Sequence, residues 1–194
     1  YKCFDCGQFF HGAVYLALGW AMWKAYLGRP DVDRIRGAAM MGLGEALRTN
    51  QRSAEALPIL EATVALTRRH WSHSETTVLD AQTTVASCLT VLERDDEALV
   101  LKRVVYARQV VRLGVSHKHT IVGGMNLSVS YFRLQLWHEG LTLLKDQLLP
   151  AARRSLGPDD HLTLLVGQNL ANALKRNPER TRNDLLEAET IMQD

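Results

Sequence analysis

The sequence predicts an all-α protein, an α-solenoid of tandem helical hairpins of about 42 residues each. Three series of residues carry the prediction. Glu55-Ala56-Leu57 returns as Glu97-Ala98-Leu99 and as Glu139-Gly140-Leu141, at intervals of 42 and 42. Gly42-Leu43-Gly44 is followed by Thr84-Val85-Ala86, Asn126-Leu127-Ser128 and Asn169-Leu170-Ala171, at 42, 42 and 43. Leu113-Gly114 and Leu156-Gly157 are 43 apart, each followed by a polar, histidine-containing turn and a threonine, Thr120 or Thr163. Independent markers that keep one period are the signature of a repeat architecture.

The stretches between markers read as helices. Val122, Met125, Leu127, Val129, Tyr131, Leu134 and Leu136 are dense and apolar over one stretch, and Leu141, Leu144, Leu148 and Leu149 follow at three-to-four spacing. Strand alternation is not sustained anywhere. Gly114 and Gly157 stand where a helix end needs a left-handed residue, and Pro158 stops continuation. Arg153 and Arg154 suit the negative end of a helix dipole. The expected map is a helix near 13–27, hairpins near 33–70, 76–113 and 119–156, and a last pair near 162–176 and 183–193. The last connection, through Pro178, is longer than the others.

Small residues recur where two helices must approach closely. Gly44, Ala86, Ser128 and Ala171 share one repeat position. Ala56, Ala98 and Gly140 share another, with Ala188 its fourth member after the longer loop. Leu47, Leu89, Tyr131 and Leu174 are expected to fill the space beside the contact. A single hairpin cannot bury its apolar face, so stacking must build the core.

Composition narrows the function. With 23 basic and 21 acidic residues the net charge is +2, which gives no polyphosphate-binding signal, and no basic or aromatic pair repeats once per unit. The expectation is therefore no nucleic-acid partner. No stretch reaches the roughly 18 apolar residues that span a bilayer, so no membrane partner is expected. Three cysteines, odd and sparse, fit a reducing compartment and a cytoplasmic location. No Ser-His-Asp or Cys-His order and no Gly-rich loop after a strand suggests catalysis or a cofactor. The chain reads as not an enzyme.

The residues Asn169-Leu170-Ala171, the Glu-Ala pairs opening second helices, and Leu156-Gly157-Pro158-Asp159-Asp160-His161 resemble the tetratricopeptide repeat, and more closely its longer variant in kinesin light chains. Gly42 and Thr84 depart from the variant's Asn, and His70 to Glu75 replaces its Leu-Gly joint. The resemblance covers residues 33–194, with units near 33–75, 76–118, 119–161 and 162–194. It implies a right-handed superhelix whose concave wall binds a peptide or protein. Residues 1–32 form an N-terminal segment with a leading, capping helix, in which Trp20, Trp23 and Tyr26 cover the end of the first repeat. A membrane-interface or partner-binding helix is the sharper reading of those aromatics.

Metal-like features have simpler readings. Cys3 and Cys6 have zinc-like spacing and His11 could be a third ligand, but a tetrahedral site needs four, so no metal is expected. Cys88 reads as a small buried hydrophobe. His70, His73, His117, His119 and His161 recur at joints and read as turn residues or helix caps.

The function these features predict is a protein–protein interaction scaffold. The alternative is an accessory repeat region of a larger enzyme or signalling protein, with Cys3 and Cys6 belonging to a zinc finger completed upstream. The candidate partner-binding residues are Asn126, Asn169, Asn172, Arg133 and Arg176. Asn126 and Asn169 each precede a leucine that faces the hairpin partner, and one residue is about 100° of helix rotation. The resemblance sets that flank on the concave wall. There an amide can both donate to and accept from a peptide backbone. Arg133 and Arg176 follow seven residues later on the same face and suit acidic side chains.

Ala98 tests the register. Ala98→Phe is expected to overpack a helix contact and lower unfolding stability by about 1–3 kcal/mol, read from the denaturant midpoint. An unchanged midpoint would refute the assignment.

Overall fold

The computed structural model describes residues 11–70 and 75–193. Among the described residues every regular element is helical. The order is α1 (Gly12–Tyr26), α2 (Arg34–Thr49), α3 (Ser53–His70), α4 (Glu75–Val91), α5 (Asp95–Leu113), α6 (Lys118–Arg133), α7 (Trp137–Thr142), a π-helical turn π1 (Leu143–Leu148), α8 (Leu149–Leu156), α9 (His161–Arg176) and α10 (Arg182–Gln193). The chain divides into two compact units, Tyr1–Ala98 and Leu99–Asp194, with the boundary inside α5.

Local chemistry fixes the helix starts. Asp33 caps α2 by accepting from the Ile35 N–H at 2.8 Å, and Asp160 caps α9 by accepting from the Leu162 N–H at 2.9 Å. His117 does the same for α6, its Nδ1 accepting from the His119 N–H at 3.2 Å. Joint histidine 117 is thus a cap. Thr181 and Asp184 cap each other's backbone N–H groups before α10, at 3.2 and 2.6 Å.

The turns inside the hairpins repeat more faithfully than their sequence does. Gln51, Glu93 and Gln135 stand 42 apart and all take left-handed backbone, with φ of 62°, 59° and 61°. At each, the next residue closes the turn onto the carbonyl five positions back: Arg52 N–H to Leu47 at 2.9 Å, Arg94 to Leu89 at 3.0 Å, Leu136 to Tyr131 at 2.9 Å. This is the Schellman closure of a helix C-terminus, with a non-glycine residue where glycine is the usual occupant. Gly114 and Gly157, at φ of 83° and 98°, end α5 and α8 as the sequence predicted.

In unit 1, α1 packs on α2, α2 on α3 and α3 on α4. Close approach is literal here. A Cβ on Gly44 would sit 2.5 Å from Leu60 Cδ2, and one on Gly19 would sit 3.1 Å from Ala46 Cβ. Leu43, Leu47 and Leu60 are fully buried at this junction. In unit 2, Ile121, Leu127, Leu144, Leu148, Val166, Leu170 and Leu174 form one cluster. Ala56, Ala98 and Ala188 each have no exposed surface, and Gly140 is buried too.

One element was not expected. The second helix of the third hairpin is not uniformly α but widens at π1. The marker intervals explain it. Glu97 to Glu139 is 42, but Gly114 to Gly157 is 43, so one extra residue lies between Glu139 and Gly157. A helix absorbs an added residue by widening one turn to i→i+5 hydrogen bonds, and the Leu149 N–H indeed donates to the Leu144 carbonyl. Pro150, which has no N–H, follows at once.

The turn geometry makes a prediction. Glu93→Gly relieves left-handed strain at an exposed site, and stability is expected to rise by about 0.5–1 kcal/mol. A denaturant midpoint at or below that of the parent chain would refute it.

Candidate functional site

Within unit 2 a groove of about 600 Å³ opens along the C-terminal halves of α6 and α9. Asn169, Asn172 and Arg176 line it from α9, at helical spacing of three and four. Val129 and Arg133 line it from α6, with the joint residues Gln135 and Trp137 and the rim residue Pro178 beyond. Phe132 and Trp137 stack with ring centroids 5.2 Å apart and planes 29° apart, and the Trp137 indole N–H donates to Gln135 Oε1 at 2.9 Å. Asn169 is half-buried, whereas Asn172, Arg133 and Arg176 are exposed. None of the lining residues is acidic. Arg133 and Arg176 set two guanidinium groups in the lining.

The structure brings together four of the five residues singled out in the sequence: Arg133, Asn169, Asn172 and Arg176. Asn126 is exposed on α6 but is not part of the lining, because the groove begins at Ser128 and Asn126 lies before it along the helix. The aromatic pair, Gln135 and Pro178 were not anticipated. They come together through the left-handed turn at Gln135, a conformation repeated at Gln51 and Glu93 that no glycine marks in the sequence.

The remaining candidates resolve into ordinary roles or lie elsewhere. Cys3, Cys6 and His73 lie outside the described residues. Among the described residues no three His, Cys, Asp or Glu side chains are grouped to hold a metal ion. Cys88 is fully buried, and burial pushes its thiol pKa up, away from the thiolate. Trp20, Trp23 and Tyr26 are half-buried on α1, and the Arg29 guanidinium lies 5.0 Å from the Tyr26 ring centroid.

Two further concavities offer a ligand less. In unit 1, a pocket of about 440 Å³ is lined by Tyr15, Met41, Gly42 and the threonines 63 and 67 among others. Both threonine hydroxyls donate to their own helix, at 2.8 Å to Ile59 and 2.7 Å to Thr63, so neither has a donor proton left for a ligand. In unit 2, Arg103 Nε donates to Tyr131 Oη at 3.1 Å beside Tyr106, whose phenol is pushed up by burial.

Comparisons with known proteins place this geometry in a class. The fold matches two crystal structures of the nearly identical TPR-like repeats of a Podosopora anserina protein of kinesin light chain type. One, of a substituted form, has a TM-score of 0.79 at 20% identity, covering 92% of this chain and 82% of that one. The other has a TM-score of 0.78 at 21% identity, covering 91% and 84%. The crystal structure of BtubC (BKLC) from P. vanneervenii matches with a TM-score of 0.73 at 13% identity, covering 93% and 73%. No protein-family model matches the chain, and no curated protein sequence does. The chain has the kinesin light chain-like tetratricopeptide-repeat fold.

Gly140 supports the groove from behind. A Cβ there would strike the Phe132 ring, with Cζ 2.8 Å and Cδ1 2.9 Å away. Gly140→Ala is expected to displace Phe132 from Trp137, cost about 1–3 kcal/mol, and alter the near-ultraviolet circular dichroism. Parent-like stability and spectrum would show that the stack does not depend on this glycine.

Proposed function

We propose that the protein is an interaction scaffold and that the α6–α9 groove of unit 2 holds an extended peptide segment of a protein partner. The observation that carries this is the convergence of Asn169, Asn172, Arg133 and Arg176 on one groove. Side-chain amides can bond a peptide backbone without reading its sequence, and guanidinium groups favour carboxylate side chains. The Phe132–Trp137 pair adds a surface for an apolar side chain. Asn126 belongs to this proposal only as a residue flanking the groove. Binding is a property of this unit in the proposal, because the equivalent positions earlier in the chain are Gly42 and Thr84.

The same proposal makes the chain a non-catalytic protein without nucleic-acid or membrane partners, working in the cytoplasm. It rests on the near-neutral charge and the sparse cysteines. No helix among the described residues is long and apolar enough to cross a membrane. The proposal also divides the chain into a leading segment, 1–32, and four hairpins: α2 with α3, α4 with α5, α6 with α7–π1–α8, and α9 with α10.

The test is selection from a displayed library of random peptides, then affinity measurement on the winners. Asn169→Ala and Arg176→Gln are each expected to weaken binding by about tenfold, a loss of about 1.4 kcal/mol, and Glu55→Ala to leave it unchanged. Affinity within twofold for both groove variants, with helicity intact, would remove the groove assignment.

A further inference from the structure

Helix α5 is apolar on two sides. The inward side serves the core, where Leu99, Val105 and Gln109 are buried. On the opposite side Val100, Val104, Ala107 and Val111 follow at intervals of four, three and four, which sets them in one line along the helix. All four are exposed, Val111 at 89%, Val100 at 65% and Val104 at 40%. The line is about 16 Å long, or about three helical turns. Exposed valines add nothing to the helix itself, because a β-branched side chain loses rotamer freedom against the preceding turn. Nor does the repeat require them. Where α5 has Val111, the preceding and following second helices have Arg69 and Arg154, and where it has Val104 they have Ala62 and Asp146. The apolar line is peculiar to α5.

Charge says what fits this line. By helical rotation Arg103 borders it on one side, and Arg108 and Arg112 border it on the other; all three are exposed. Arg103 is held by Tyr131, at 3.1 Å from Nε to Oη. Arg108 and Arg112 form no ion pair among the described residues. No Asp or Glu occurs between Glu97 and Glu139, a stretch that holds six Lys and Arg residues. The acids of α5 itself, Asp95, Asp96 and Glu97, all lie in its first turn, and Glu97 is bonded to Arg94 at 2.7 Å. Glu139 shares a concavity with Arg103 that Arg108 and Arg112 do not line. The surface is thus a straight apolar strip with basic borders. Ala107 at its centre lets the axis of another helix come close. Helices that lie on membranes bury Trp, Phe or Leu, and this line has none of them.

We propose that α5 docks an acidic amphipathic helix of a partner protein. The partner's apolar stripe lies along Val100, Val104, Ala107 and Val111, and its carboxylates meet Arg108 and Arg112. This is a different surface from the α6–α9 groove, and the proposal does not rest on the peptide reading.

The experiment is selection on the 194-residue chain from a displayed library of helical-bundle scaffolds in which one outward helix face is randomised. Winners are expected to carry a stripe of Leu, Ile or Ala bordered by Asp and Glu, and to lose affinity as salt rises from about 0.05 to 0.5 M. Val104→Glu and, separately, Val111→Glu are each expected to weaken their binding by about tenfold or more, with unchanged far-ultraviolet circular dichroism. Arg176→Gln, in the α6–α9 groove, should leave it unchanged. A library that yields no binder, or winners without acidic borders, would overturn the proposal. Winners insensitive to both valine substitutions, or weakened by Arg176→Gln, would do so as well. Vesicles of about one-third phosphatidylserine should not sediment the chain. Sedimentation with them that Val111→Glu abolishes would put a membrane surface in place of the partner helix.

Discussion

Close approach of helices at small residues is the constraint on which the rest of this structure depends. Gly44 lets the Leu60 side chain into the space a Cβ would fill, and Gly140 does the same for the Phe132 ring. Ala56, Ala98 and Ala188 hold equivalent buried positions. A large residue at any of them would push two helices apart and open a cavity along both. The period of 42 follows from this: each hairpin must return its small residue to the same depth before its neighbour can pack. The Schellman turns at Gln51, Glu93 and Gln135 set the phase. Their left-handed backbone is retained without glycine, so the closure itself, not the residue identity, is what recurs.

The α6–α9 groove follows from a departure within this regularity. Where Ala56 and Ala98 carry a methyl group, Gly140 carries none, and the Phe132 ring occupies that space. The ring then stacks on Trp137 and gives the end of α6 an aromatic wall. Around it Asn169, Asn172 and Arg176 are set by helical spacing on α9, three, four and seven residues apart, and Arg133 faces them from α6. The pairing of an adaptable polar flank with a rigid aromatic pair is the arrangement that peptide-binding surfaces use, because the aromatic area binds at low entropic cost.

Much of this was legible in the sequence, and the reason is physical. Repeat positions are constrained by packing, so the buried leucines, small residues and helix-ending glycines announce themselves by interval. Asn169, Asn172 and Arg176 come to line one groove, with Arg133 across from them, because residues on one helical face share a spacing. What was missed sits where spacing says nothing. Phe132 and Trp137 come together through a turn whose conformation no glycine advertises. Asn126 shares its helical face with Arg133 but lies before the point where the groove begins, and a face alone does not specify a position along a helix. The π turn was hidden differently. The 43-residue interval records an extra residue, but not whether a loop or a helix absorbs it.

The extra residue has a consequence for the hairpin that contains it. A π turn shifts the residues after it by one position around the axis, about 100°, relative to a continuous α-helix. Without it, the residues from Leu149 onward would face a different side from their counterparts before Gly114. With it, Ala151 and Ala152 are fully buried and Leu149 nearly so, and α8 packs against α9. The turn lies in the same rod as Gly140, three residues before it begins. One end of that rod is therefore fixed by the glycine against α6, and the other by α8 against α9, the two helices that form the groove. The inserted residue lets a single rod hold both contacts, so α6 and α9, the two walls of the groove, are braced from behind by one element.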